Sequence, residues 1–147
     1  MMERVKIEIK GEIIATIQLR VRITDINYGN HVGNDAFVGL LHEARMQWLQ
    51  QYQFTELDIA GTGLIMSDLV FEFKNESFYG EEIEITISVG DISGVSFDLF
   101  YKLATMRNDK SILLAHAKTG MVCYDYDKKK ITPIPNELKQ ILTTTFN

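Results

Sequence analysis

Residues 21–52, VRITDINYGNHVGNDAFVGLLHEARMQWLQQY, constrain the fold more than any other stretch of this chain. Phe37, Leu40, Leu41, Ala44 and Trp48 fall at i, i+3, i+4, i+7 and i+11, which is one stripe of an amphipathic helix. The helix runs to about Gln51 and is about 24 Å long at 1.5 Å per residue. Its apolar stripe has to be buried. No other stretch of comparable length carries a helical period, so the surface that buries it is a sheet.

The strands are written in a two-residue period. Ile83, Ile85, Ile87 and Val89 alternate with Glu82, Glu84, Thr86 and Ser88, the cleanest alternation in the sequence. Residues 64–75, 95–106 and 111–126 read as further strands, separated by segments rich in Gly, Asn and Asp. Upstream, Val5, Ile7 and Ile9 suggest a short strand, Gly11 a turn or bulge, and residues 13–23 a longer strand. The short connections predict antiparallel meander pairing, since parallel neighbours need long crossovers. Pro133 and Pro135 end the sheet. Asn136 then caps a short helix with Leu138, Ile141 and Leu142 on its apolar face. The order is that of an α+β fold, one long helix wrapped by an antiparallel sheet of five or six strands. The other sheet face keeps Phe100, Val122 and Tyr124, an apolar surface that invites a second subunit.

At 147 residues the chain is one domain, spanning 1–147, with enough length to bury a core without disulfides or metals. The lone Cys123 excludes an intrachain disulfide and reads as a packed strand residue in a reducing compartment. His31, His42, His116 and Cys123 lack ligand spacing, so no metal or other cofactor is expected. A net charge of -5 argues against nucleic-acid binding. No apolar run is long enough to span a membrane and the N-terminus carries no export signal, which points to the cytoplasm.

The polar segment before the helix is the candidate site. Asn34 or Asp35 is the expected N-cap, and a helix N-terminus offers free N–H groups and a positive dipole end to developing negative charge. The run DINYGNHVGNDAFVGLLHEAR resembles the signature of hotdog-fold thioesterases of the 4-hydroxybenzoyl-CoA thioesterase type, a D-x-D-x-x-G-H-V-N-N pattern leading into a helix that ends E-E-A-R. Asp25, His31, Val32, Asn34, Glu43, Ala44 and Arg45 carry the match, with Phe78-Tyr79-Gly80-Glu81 downstream. The resemblance implies a hotdog fold, a homodimer or homotetramer with active sites at the subunit interface, and hydrolysis of an acyl-CoA or acyl-carrier thioester. Coenzyme A then enters only as part of the substrate. The resemblance also implies that the N–H of Asn34 holds the thioester oxygen.

The pattern's second aspartate falls on Asn27, whose amide can orient water or thioester but cannot be a base. Three carboxylates are candidates to replace it. Glu43 comes first, because the resemblance to hotdog thioesterases implies an acidic residue about two turns into the central helix and Glu43 lies nine residues after Asn34, at the edge of the apolar stripe. An i, i+4 contact with Gln47 or an intersubunit ion pair with Arg45 is the structural alternative. Asp25 shares an extended face with Asn27, or caps a turn. Asp68 stands before a strand, the commoner role for such an aspartate. His31 is either an acid-base group or a loop-positioning residue. Tyr28, Asn30 and Gly33 shape the loop. Three functions follow: acyl-CoA hydrolysis, acyl-thioester binding without chemistry, and hydratase chemistry through His31 and a carboxylate.

Overall fold

The computed structural model describes residues 4–143. The elements are β1 (Ile13–Arg20), a 3-10 turn (Ile23–Asp25), α1 (Asn34–Gln50), β2 (Gly63–Phe73), β3 (Glu82–Ile92), β4 (Ser96–Arg107), β5 (Lys110–Asp125), β6 (Lys130–Ile131) and α2 (Asn136–Leu142). Alternation puts Ile83, Ile85 and Ile87 of β3 and Phe97, Leu99, Tyr101 and Leu103 of β4 on one face, all buried. The α1 stripe of Phe37, Leu40, Leu41, Ala44 and Trp48 joins them in one core with Ala117, Met121 and Cys123 of β5. Fully burying a side chain the size of Leu or Ile contributes about 1.5–3 kcal/mol, so this single shared face holds helix and sheet together. The α2 residues Leu138, Ile141 and Leu142 enter the same core. A long helix held against an antiparallel sheet is the α+β hotdog arrangement. Among the described residues no helix is long and apolar enough to cross a membrane.

The sheet runs β1-β3-β4-β5-β2, with β6 on β5 and every pair antiparallel. The expected meander holds for β3, β4 and β5 and fails for β2, which pairs with β5 at the sheet edge. The cause lies in the connection from β2 to β3, which is no hairpin. Lys74 N–H donates to the carbonyl of Leu114 (2.8 Å), after which Ser77 accepts from Val32 (2.8 Å) and Gly80 N–H donates to Val21 (3.1 Å). This segment therefore bonds to the loop before α1 and arrives beside β1.

Three local expectations are corrected. Residues 5–9 form no strand. Instead the segment crosses the outer face of the sheet, where Ile7 N–H donates to Glu72 Oε1 (3.0 Å) and the Lys10 carbonyl accepts from Ser88 Oγ (2.8 Å). It lines a depression with Phe100 and Lys118, and Phe100 is buried, so the outer face is less open than its composition implied. The N-cap of α1 is Gly33, not Asn34 or Asp35, because the Gly33 carbonyl accepts the first helical bond from Phe37 (3.1 Å). In α2 the cap is Pro135, whose carbonyl accepts from Leu138 and Lys139, and Asn136 is already helical.

Candidate functional site

The site begins where the chain leaves β1. After the 3-10 turn, Asn27 N–H donates to His31 O (2.9 Å) and Asn30 N–H to Asn27 O (3.1 Å), closing a tight loop. The loop needs one left-handed residue, and Asn30 supplies it at φ 63°. Asparagine tolerates that conformation better than most residues. At its base, Gly33 N–H donates to the carbonyl of Asp25 (3.1 Å), which aims the start of α1 back at Asn27.

Gly33 allows that approach. A Cβ on it would lie 2.7 Å from Asp35 Oδ1, 3.5 Å from Asn27 Cβ and 3.6 Å from Asn27 Nδ2. The N-cap offers no side-chain acceptor, so the first turn of α1 presents its N–H groups outward beside the Asn27 amide. Asn27 Oδ1 accepts from Gly29 N–H (2.8 Å), which leaves Nδ2 as the donor facing the helix start. His31 is the neighbour on the other side. A Cβ on Gly29 would touch His31 Nε2 at 3.0 Å and Asn27 Oδ1 at 3.2 Å. His31 Nδ1 lies 3.1 Å from the carbonyl of Val32, an acceptor that selects the Nδ1–H tautomer and leaves Nε2 with its lone pair. Glu76 Oε1 stands 3.6 Å from Nε2. Asn27, His31, Gly33 and Asn34 are thus brought together.

The other candidates are placed elsewhere. Asp25 is buried and turned back on its own 3-10 turn, accepting from the Arg22 backbone N–H (2.8 Å) and from the Arg22 guanidinium (3.4 Å). Tyr28 is fully exposed. Glu43 accepts from Gln47 Nε2 (2.8 Å) on the exposed side of α1 and lines a 490 Å³ depression with Asp25 and Asp35. It stands about 13 Å along the helix axis from Asn34 at 1.5 Å per residue. Asp68 does not precede a strand but sits at a bulge within β2, where it accepts from Gly120 N–H (2.7 Å) and Lys118 Nζ (2.9 Å). Those bonds, with Lys118 the leading cause, hold its carboxyl below the usual range. Cys123 is buried, and burial pushes its thiol up to about 11.

A second feature lies along the other flank of α1. A groove of about 740 Å³ runs between α1 and β2, walled by Val38, Leu41, Met46, Leu64, Met66 and Leu69. One polar cluster interrupts it. Glu56 accepts from His42 Nε2 (2.5 Å) through one oxygen and from Arg45 Nε (3.0 Å) through the other. Arg45, 4% exposed, also donates to Tyr101 Oη (3.4 Å), which bonds Thr119 Oγ1 at 2.7 Å.

The sequence model of the thioesterase-like superfamily matches residues 21–142, a span that begins after β1 and contains the loop, α1, the strands β2 to β6 and α2. The chain belongs to the thioesterase-like superfamily. Solved structures share the fold of this superfamily member at low identity. A 1,4-dihydroxy-2-naphthoyl-CoA thioesterase from Synechocystis aligns with a TM-score of 0.77 at 21% identity, over 86% of this chain and 93% of that one. A Pseudomonas aeruginosa protein aligns at 0.81 and 18%, over 90% and 100%. An aspartate-to-asparagine mutant of 4-hydroxybenzoyl-CoA thioesterase, complexed with 4-hydroxybenzoyl-CoA, aligns at 0.78 and 14%, over 88% and 98%. No curated protein matches the sequence at a significant level.

In this thioesterase-like chain, sequence reading overlooked Glu76 beside His31 and the His42–Glu56–Arg45 cluster. His31 and Glu76 are 45 residues apart and no spacing rule joins them. Arg45 did leave a signal, as an arginine on the buried side of an amphipathic helix, since such a charge needs a partner.

Proposed function

We propose that this protein hydrolyses an acyl-CoA or acyl-carrier thioester at the N-terminus of α1. The observation that carries this reading is the uncapped first turn of α1 facing the Asn27 amide, with His31 alongside. The thioester oxygen is held by the Asn34 N–H and Asn27 Nδ2, preorganised donors aimed at the charge of the tetrahedral intermediate. His31, its Nδ1–H tied to the Val32 carbonyl, takes a proton from water through Nε2, with the Glu76 carboxylate 3.6 Å from that nitrogen. Water adds to the carbonyl carbon. Collapse of the intermediate breaks the C–S bond, and the imidazolium returns its proton to the departing CoA thiolate. Glu43 and Asp25 lie outside this constellation in one chain.

The working form is proposed to be a homodimer paired through β2. Both β1 and β2 are sheet edges, but β2 is the longer and leaves Met66 and Phe73 exposed, an edge that invites strand pairing. The buried thiol of Cys123 suits a reducing, cytoplasmic setting.

A second reading, acyl-thioester binding without hydrolysis, draws on Asn27. The aspartate-to-asparagine mutant of 4-hydroxybenzoyl-CoA thioesterase is complexed with 4-hydroxybenzoyl-CoA, and here asparagine is the native residue. The deciding experiment is thiol release from short, long and aromatic acyl-CoAs by the native protein, His31→Gln, Asn27→Asp and Glu43→Gln. Turnover lost by at least about 100-fold in His31→Gln, a typical general-base effect, and kept in Glu43→Gln upholds the mechanism. Turnover that survives His31→Gln but dies in Glu43→Gln moves the base to Glu43. A silent native protein that becomes active as Asn27→Asp makes it a binding protein.

A further inference from the structure

The α1–β2 groove has a composition that a purely structural cleft does not need. Its walls are mostly aliphatic or thioether side chains, with Tyr126 and Thr55 at the lining too and Met46 and Met66 able to adapt to a flexible ligand. The three packed phenyl rings Phe37, Phe71 and Phe73 line no part of it. The charged cluster of the groove stands in a largely apolar wall and requires desolvating Arg45 and Glu56. Apolar pockets with a few placed polar groups are how binding sites fix the orientation of a ligand.

We propose that this groove takes a medium-length acyl chain bearing a terminal hydroxyl, and that Glu56 and His42 are the residues that select it. The inference rests on the reading above, which puts the thioester at the start of α1. Of the α1 residues that line the groove, Val38 lies one turn from Asn34 and His42 eight residues from it. That separation is about 12 Å along the axis at 1.5 Å per residue, and an extended chain of about eight carbons spans most of it. Glu56 is partly accessible, and its carboxylate has two hydrogen-bond donors against about four lone-pair positions, so it can accept an O–H from the ligand. A hydroxyl fits better than an ion. The Glu56 charge repels a carboxylate, and the Arg45 guanidinium and the His42 ring already lie against its two oxygens, where a cationic ligand would sit. Arg45, 4% exposed, lines the groove behind Glu56 and holds that carboxylate through Nε–H.

The test compares 8-hydroxyoctanoyl-CoA with octanoyl-CoA for the native protein, Glu56→Gln and His42→Phe, each variant checked for its melting midpoint. The native protein is expected to favour the hydroxylated substrate by at least about tenfold in kcat/KM, the worth of one net hydrogen bond. The ratio should fall below about threefold in at least one variant. His42→Phe keeps the Arg45–Glu56 pair and remains informative if Glu56→Gln unfolds. No preference in the native protein, or a preference kept in both folded variants, overturns the assignment. If the native protein releases no thiol from either ester, hydrolysis fails, and the same ratio is read as a Kd ratio by calorimetry. A tenfold Kd preference that collapses in the variants upholds the groove without the hydrolase. Equal affinities, or no binding of either ester, overturn it.

Discussion

Replacing Glu56 by alanine should expose how much the charge on Arg45 depends on its partner. Arg45 is 4% exposed, and its hydrogen bonds are to Glu56 Oε2 at 3.0 Å and Tyr101 Oη at 3.4 Å. Burial works to lower the pKa of the guanidinium, yet Tyr101 and Glu56 outweigh it and the net shift is upward. Arg45 therefore stays charged, and the variant cannot escape its penalty by losing a proton. Removing one partner of a buried ion pair costs about 3–5 kcal/mol, because the other charge is left desolvated. The Glu56 side chain keeps 17% of its surface, which places the expected loss at the lower end, about 3 kcal/mol. For a domain of this size about 3 kcal/mol lowers the melting midpoint by about 10 °C. Calorimetry or a urea titration of the native protein, Glu56→Ala and the double variant Arg45→Leu/Glu56→Leu measures it. The double variant should lose less than the single one, since it removes both charges together. A loss below about 1 kcal/mol in Glu56→Ala would mean that water reaches the guanidinium and that the pair is a surface contact. A double variant worse than the single one would refute the desolvation argument.

Other outcomes follow from single sites. The Arg107 guanidinium, bonded to Glu81 at 2.7 and 2.9 Å, holds that carboxyl below its usual range, so Glu81 contributes stability above the ordinary carboxylate pKa. This contribution should be lost as pH falls from about 4.5 through the lower folded-state value, and melting curves of Glu81→Gln should lack that part of the acid dependence. Cys123, buried and pushed up to about 11, should resist a thiol reagent at pH 8 in the folded protein and react on unfolding. Gly11→Ala should destabilise by at least about 1 kcal/mol, because φ is +83° and the new Cβ would sit 1.7 Å from the Val89 carbonyl oxygen. An unchanged denaturation midpoint would show that residues 4–12 are not anchored to β3.

The parts of the site that were legible in sequence are those carried by neighbours along the chain. The loop and helix start lie within residues 27–34, so glycine and asparagine next to a helical period located them. Glu43 was singled out by the resemblance to hotdog thioesterases, and the pairing with Gln47 that the structure shows is the ordinary i, i+4 contact of its place on the helix. Asp68 looked like a residue entering a strand because the sequence does not mark a bulge, and its partners Lys118 and Gly120 lie some fifty residues away. The short first strand failed for a related reason. Val5, Ile7 and Ile9 do alternate, but alternation shows only that alternate side chains share a face, and this segment uses that face to cover the outside of the sheet.

The sequence by itself determined the elements and the side each presents to the core. The α1 stripe and the isoleucines of β3 are inward because burial of those side chains is the dominant favourable term and period fixes direction. Tertiary structure alone decided which strands are neighbours, and so which distant side chains meet. The pairing of β2 with β5, and the return of residues 74–81 to the loop before α1, bring Glu76 to His31. The loop after α1 carries Glu56 to His42 and Arg45, which reaches Tyr101 of β4. Local periodicity encodes a face. A contact between residues that are far apart in the chain exists only once the backbone hydrogen bonds have chosen the register.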